Sequence, residues 1–500
     1  MTQFETVDAT QGITLKRDFN LFSSFAFGFA FISPIGALYG IFGIALSLAG
    51  PSFWWGFLIV FGGQLLVALV FAMLVSRWPI EGSIYQWSAR LGGKILGWFA
   101  GWAYMWTLLI AMSTVAIAAA GFIANVVGIE SPTGVDKAWI AFVVLLLGTA
   151  VNLAGRMVLK VFMIASIVAE IVGSLGLGIW LLLFHQNNSI SVLFDGGTGL
   201  DPGVDYLSIS GPFLLAIVFI GFSFVGFESA GAIAEEVTEP RKNLPKAILF
   251  ALIFIAVVVM FTSLAIILAV PDLDTVRNGS IADPVNSTLT SQLGSEIAKP
   301  VEILFIIGFL ASFLALQTSA SRMIWSFARD RALPASQYLS CLSPKQRQPV
   351  GPLLVTMVFG AGLFLLSNVV ENVYTLMLNF TSGGFFLSFL FPLVAFLIVN
   401  LRGRWRPGPF SLGKATLFLS VVAVVWAAFE FLNIAWPRPV YEETYLDWSI
   451  WIAMAVLGVA GTVIYLSVHK AIPVVTGLEY RMPEELSALE ELPDKEPQPS

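Results

Sequence analysis

Apolar residues in this chain are gathered into blocks about 20 residues long rather than spread in amphipathic stripes, and short polar stretches separate the blocks. A helix needs roughly 20 apolar residues to cross a ~30 Å hydrocarbon core. Twelve blocks fit that length, at about 22–46, 54–75, 96–124, 138–155, 160–184, 212–234, 245–270, 300–327, 353–370, 374–400, 412–436 and 448–468. No connection is long enough for a separate soluble domain. The longest, about 271–299, is polar and acidic and is expected as an external loop. The pattern predicts an all-α polytopic membrane protein with 12 transmembrane helices over residues 21–470. A polar segment, 1–20, precedes them and an acidic tail, 471–500, follows.

Composition agrees with lipid as the solvent. Of the 500 residues, 57% are hydrophobic and 12% charged, about half the charged share that a soluble surface needs. The first twenty residues are polar and mixed in charge, with no apolar core or small-residue cleavage site of a signal peptide. The first block is therefore expected to stay as a span. The tail carries seven acids and is expected to be largely without fixed structure, apart from a short helix near 483–492. A lone cysteine, Cys341, allows no internal disulfide. With only His185 and His469 beside it, a Cys/His metal cluster has no ligands.

Charge sets the orientation. When the twelve blocks are threaded alternately, 22 of the 26 Lys and Arg residues fall on the side of the N-terminus. Only Lys137, Arg277, Lys299 and Arg438 fall on the other. The positively charged side is the cytoplasmic one, so both termini are expected in the cytoplasm and the protein in the cytoplasmic membrane. Trp54, Trp55, Trp87, Trp98, Trp436 and Trp448 lie near block ends, where tryptophan anchors a span at the interface.

Two blocks carry signs of a broken helix. The first contains Ile32-Ser33-Pro34-Ile35-Gly36 near its middle. Proline removes a backbone donor and clashes with the preceding turn. The sixth contains Gly221-Phe222-Ser223-Phe224-Val225-Gly226-Phe227-Glu228, with an acid well inside an apolar run. First and sixth are corresponding positions in two successive sets of five. Interrupted helices in corresponding positions of two halves mark a midplane binding site in secondary transporters.

Further stretches carry a family resemblance. Pro79-Ile80-Glu81-Gly82-Ser83-Ile84-Tyr85-Gln86-Trp87, the run from Gly221 to Arg241, and Ser321-Arg322 with Ala328-Arg329-Asp330-Arg331-Ala332-Leu333-Pro334 together resemble amino acid–polyamine–organocation permeases. The likeness covers about 15–470 and is nearest the amino acid/choline-transporter-like branch. It implies a LeuT-like, five-plus-five inverted repeat with two extra C-terminal helices, and a substrate held between the broken first and sixth helices and flanked by the third, eighth and tenth. By that pattern the substrate-binding residues are Ser33, Pro34, Ile35 and Gly36 in the first helix and Phe222, Ser223 and Phe224 in the sixth. Phe222 matches an aromatic that closes over substrate. Many members of the family have Gly-X-Gly at the first break; here Pro34 has no N–H, which weakens the case for an α-amino acid and leaves room for an amine, a γ-amino acid or a polyamine.

The buried acids complete the reading. A carboxylate at the bilayer centre costs roughly 3 kcal/mol or more, so such residues face a cavity, pair, or turn neutral. Glu170 in the fifth block and Glu228 in the sixth are the ion- or proton-coupling candidates. Some related permeases have a lysine where this chain has Glu170. A carboxylate cannot imitate that cation; it can bind a proton or Na+, or attract a cationic substrate. Glu430, in the eleventh block, is expected to be a structural or peripheral acid. Lys160 is expected to snorkel. Glu235, Glu236, Arg241 and Lys242 either form a solvated loop or pair with Arg322 or Arg329 as an inner gate.

The resulting expectation is a permease for a small amino compound, driven by H+ or else Na+, with no cofactor, no metal, no nucleic-acid partner and no enzyme activity. An exchanger for an amino acid, an amine or a polyamine is the alternative. A channel or a sensor is the reading from another class, against which the chain shows no filter-like repeat.

Overall fold

A helix satisfies its own backbone hydrogen bonds, which hydrocarbon cannot do for it, and most of the described residues in the computed structural model of the chain are helical. It describes residues 17–129, 132–196, 205–278, 280–281, 283–343, 347–367, 373–438 and 444–473. Most of the expected N-terminal segment and acidic tail, including the helix near 483–492, lies outside them. Among the described residues the one β-type pairing is an isolated bridge between Phe19 and Val237.

Among the described residues eleven helices are long and apolar enough to cross a membrane. The remaining expected span, the ninth, corresponds to a shorter apolar helix, Val350–Leu366. The expected loop at 271–299 is itself largely helical. Leu273–Arg277 and Pro284–Leu293 each start at an aspartate, Asp272 and Asp283, whose side chain accepts a backbone N–H of the first turn. Ser295–Arg329 then begins the eighth span.

Burial separates an inner set of helices from an outer one. The apolar stretches of the sixth and first spans are 89% and 83% buried, whereas that of the last span, Ser449–Val468, is 17% buried. The two interrupted helices therefore form the axis of the bundle, and the last span lies on its outside. Trp436 and Trp448 are about half exposed, as suits interfacial anchors. Trp87 and Trp98 differ from the expectation: both are fully buried. The Trp87 indole donates to the Trp78 carbonyl at 3.1 Å and that of Trp98 to the Ala332 carbonyl at 2.9 Å. Nor does Lys160 simply snorkel, because its ammonium donates to the Asp18 carbonyl and lies over the Phe19 ring.

Small residues set how closely the spans approach, since apolar contact with lipid is as good as contact with leucine. Gly63 in the second span faces Trp426 in the eleventh. A Cβ on Gly63 would stand 2.0 Å from the indole ring, while one on Gly62 would meet nothing within 4 Å. Gly63→Ala is therefore expected to destabilise the protein by about 1–3 kcal/mol, the usual cost of overpacking, and Gly62→Ala to leave it unchanged. Thermal unfolding of both variants in detergent checks this.

Candidate functional site

Both expected breaks are real interruptions of the helix. In the first span the helix Leu21–Ile32 stops at Ser33, whose φ of 51° and ψ of 111° are not helical, and a second helix runs Pro34–Tyr39. Ser33 caps that second helix, its Oγ accepting the Gly36 N–H at 3.1 Å. Pro34 takes the first helical position, where a missing N–H costs nothing. In the sixth span, Pro212–Ile220 tightens into a 3₁₀ turn over Gly221–Phe224, becomes extended at Val225, and restarts as Phe227–Glu236. Gly226 makes the junction at φ 95°. A Cβ there would lie 2.3 Å from the Phe31 ring, so conformation and space both demand glycine.

The two breaks touch. The Ser223 hydroxyl donates to the Ala37 carbonyl at 2.5 Å, just past the first break. Gly226 packs against Phe31, just before it. The eighth span adds Ser312, which donates to the Phe31 carbonyl at 2.8 Å, and Phe305, whose ring stacks on Tyr39 at 4.0 Å. The third span contributes Phe122, in ring contact with Phe305 and Phe309. Phe385 of the tenth span lies near both Phe31 and Tyr104. The expected elements therefore meet around the broken first and sixth helices.

The individual side chains are placed as follows. Ser33, Pro34, Ile35 and Gly36 are all buried, as are Ser223 and Phe224; Phe222 keeps partial exposure. Phe224 packs on Phe57 and Phe61 of the second span, whereas Ser223 joins the two breaks.

Each break has a buried glutamate. Glu170 is fully buried, and its Oε2 accepts the Ile35 N–H at 3.4 Å, with the Ser33 hydroxyl also against its carboxyl. Immediately after Glu170 the helix widens into a π turn, Ile171–Gly176. Such turns often accompany functional sites, and here the Gly173 carbonyl accepts the Tyr39 hydroxyl at 3.2 Å. Glu228 is equally buried. Its Oε1 accepts the Tyr104 hydroxyl at 2.8 Å, and the N–H groups of Gly226 and of Glu228 itself face its carboxyl.

One polar cluster was not anticipated from the sequence. Between the fourth and eighth spans, Asn152 donates to Gln317 at 2.8 Å, Gln317 to Thr149 at 2.7 Å, and Thr318 to Asn152 at 2.8 Å. Only the two facing spans together make these residues partners. Glu430, expected as a structural or peripheral acid, is fully buried, and its Oε2 lies 3.9 Å from where a Cβ on Gly221 would stand. It therefore borders the start of the sixth-span break.

At the end of the sixth span the charges are paired. Arg322 meets Glu236 at 3.2 Å with both side chains buried, and Arg329 meets Glu235 at 2.9 Å. Lys242 instead pairs with Glu239 in the open. The segment after the second span closes over the cluster: Tyr85 and Gln86 donate to Asp330 at 2.9 and 3.0 Å, and the Glu81 N–H donates to Glu235 at 3.3 Å. Glu81 is fully buried there. Burial first, then the neighbouring Glu236 and Glu235, push its carboxyl well above the usual range, against the pull of Arg322 and Arg329. The sequence signal for it was an acid inside the otherwise uncharged run Pro79–Trp87. Among the described residues no group of three His, Cys, Asp or Glu side chains is placed to hold a metal ion.

A family model described as amino acid permease matches residues 19–460. An uncharacterized amino-acid permease of Schizosaccharomyces pombe is 27% identical, over 87% of this chain and 81% of its own. An amino-acid permease of Arabidopsis thaliana is 25% identical, over 82% and 84% of the two chains. A branched-chain amino acid permease of Bacillus subtilis is 23% identical, over 86% and 91%.

Folding raises the proton affinity of Glu81, so its contribution to stability is complete at low pH, below the ordinary carboxyl range. It is lost as pH rises through that range toward the elevated folded value. Glu81→Gln, which stays neutral, is expected to remove this part of the pH dependence and to raise the melting temperature at pH 8 relative to the parent. Melting temperatures of both proteins between pH 5 and pH 8 test it.

Proposed function

Because the chain belongs to the amino acid permease family, whose members are transporters and not enzymes, we propose that it is a secondary active transporter for an amino acid or a related amine. It works by alternating access across the cytoplasmic membrane, with both termini in the cytoplasm, and couples transport to protons. The fold is a LeuT-like, five-plus-five inverted repeat followed by two extra helices, the last of which faces lipid. The observation that carries this reading is the contact between two broken helices at membrane depth, each supplied with a buried glutamate. Broken helices are tolerated there only around a cavity or within protein, and they mark the midplane site of secondary transporters. The amino-acid names of the relatives support the cargo class.

In this scheme Ser33, Pro34, Ile35, Gly36, Phe222, Ser223 and Phe224 surround the cargo, and Phe222, the aromatic with partial exposure, closes over it. Glu170 and Glu228 exchange protons as access alternates, since a carboxyl at this depth is costly when ionised and unpaired. The ion pairs Arg322–Glu236 and Arg329–Glu235, under the cover of Glu81 and Tyr85, are the cytoplasmic gate. They fasten the sixth span to the eighth and part when the site opens inward.

The test is uptake by the purified chain in proteoliposomes, with labelled amino acids, amines and polyamines offered in turn. At least one is expected to accumulate, and faster under a pH gradient. Glu170→Gln and Glu228→Gln are each expected to cut the pH-driven part about tenfold, equivalent to about 1.4 kcal/mol. Accumulation indifferent to the gradient and to both substitutions excludes proton coupling. A carrier that moves label only against internal substrate is an exchanger.

A further inference from the structure

The hydrogen bonds at the first break leave no donor for an incoming carboxylate. Of the four leading positions of the second half-helix, Pro34 has no N–H. Ile35 donates to Glu170, Gly36 to the Ser33 hydroxyl, and Ala37 to the Ser33 carbonyl at 2.7 Å. At the second break the N–H groups of Gly226 and Glu228 face the Glu228 carboxyl. At both breaks the protein thus places its own carboxyl where a helix start would otherwise attract an anion.

The charge balance points the same way. Glu170 and Glu228 are each fully buried, and the second oxygen of each, Oε1 of Glu170 and Oε2 of Glu228, has no hydrogen-bond partner among the described residues. The stretches that meet at the breaks contain no Lys, Arg or His: 20–49, 95–129, 161–184, 205–239, 300–321 and 373–401. The junction therefore has two carboxyls, two unfilled acceptor oxygens and no fixed cation. An ammonium group carries only donors and a positive charge, which is what those oxygens lack. Whenever either glutamate is ionised, a carboxylate would arrive beside like charge in a weakly screening interior. Apart from hydroxyls such as those of Ser174 and Ser229, it would find no free backbone N–H at the first break to replace the hydrogen bonds that water had given it.

We propose that the cargo at this junction is an organic amine with no carboxylate on the carbon that bears the nitrogen, and that Glu170 rejects α-amino acids by holding the Ile35 N–H that their carboxylate would need. Discrimination of this kind is repulsive as well as attractive. The proposal rests on the reading of the protein as a carrier of amino compounds and narrows it to one class.

The experiment offers the full chain in proteoliposomes three matched pairs, each an α-amino acid and the amine left by its decarboxylation. The pairs are alanine with ethylamine, leucine with 3-methylbutylamine, and ornithine with putrescine. Initial uptake of at least one labelled amine is expected to exceed that of its parent amino acid by about tenfold or more at equal concentration. If amino acids move as fast as their amines or faster, the proposal is overturned while the carrier reading stands. If neither class moves, both fall. Glu170→Ala, which vacates the Ile35 N–H and removes the counter-charge, is expected to lower amine uptake and to raise the amino acid's share. An unchanged ratio overturns the role of Glu170. Should that variant fail to fold, Glu170→Gln, similar in shape and without charge, is expected to narrow the ratio in the same direction.

Discussion

Hydrocarbon offers no hydrogen bonds, so a helix interrupted inside a membrane must find partners for its freed backbone groups within the protein. Most of the architecture near the axis of this bundle can be understood as meeting that demand twice. At the first break Glu170 and Ser33 take the exposed N–H groups, and Ser312 donates to the Phe31 carbonyl. Past the same break Tyr374 donates to the Gly40 carbonyl at 3.1 Å. At the second, Glu228 faces the freed N–H groups and is held by Tyr104. These partners come from the third, fifth, eighth and tenth spans, so the same interactions that make the breaks tolerable also pull the surrounding helices into place. The outer helices have no such demand to meet, and the last span is exposed over most of its surface.

The cluster at the end of the sixth span shows a different balance. Burying charge costs several kcal/mol per ion unless each is paired and hydrogen-bonded. Here Arg322, Arg329, Glu235 and Glu236 largely meet that condition, with Tyr85, Gln86 and Asp330 completing the network. Glu81 is the exception, a second fully buried carboxyl beside Glu236, with the half-buried Glu235 and two arginines around it. Such pairs are a poor source of stability but a good source of specificity, because the arrangement works only when second, sixth and eighth spans are in register.

Much of this was open to sequence reasoning, and the residues show why. Pro34 and Gly226 act through their own covalent structure, one lacking an N–H and the other lacking a Cβ, so the breaks they make can be located without neighbours. The side chains that complete each break could not be found this way. Nothing in the local sequence tells whether Glu170 faces Ile35 or lipid, since that depends on how the fifth span is rotated against the first. For Glu430 the sequence leaves a structural and a peripheral place open for the same reason, and packing selects the interior, beside Gly221. Trp87 and Trp98 followed the general habit of tryptophan near span ends on paper. Their indole N–H groups found carbonyls in the interior instead.

Block length, the alternation of charge and the two interruptions were therefore determined by the sequence alone, because each follows from the energy of a single segment in water or lipid. The pairing of buried polar groups was decided only by the tertiary structure. Asn152 with Gln317, Glu236 with Arg322, and Glu170 with the Ile35 N–H join residues up to 165 positions apart. A buried polar group is worth having only with its partner in place, and that partner exists only once the helices have packed.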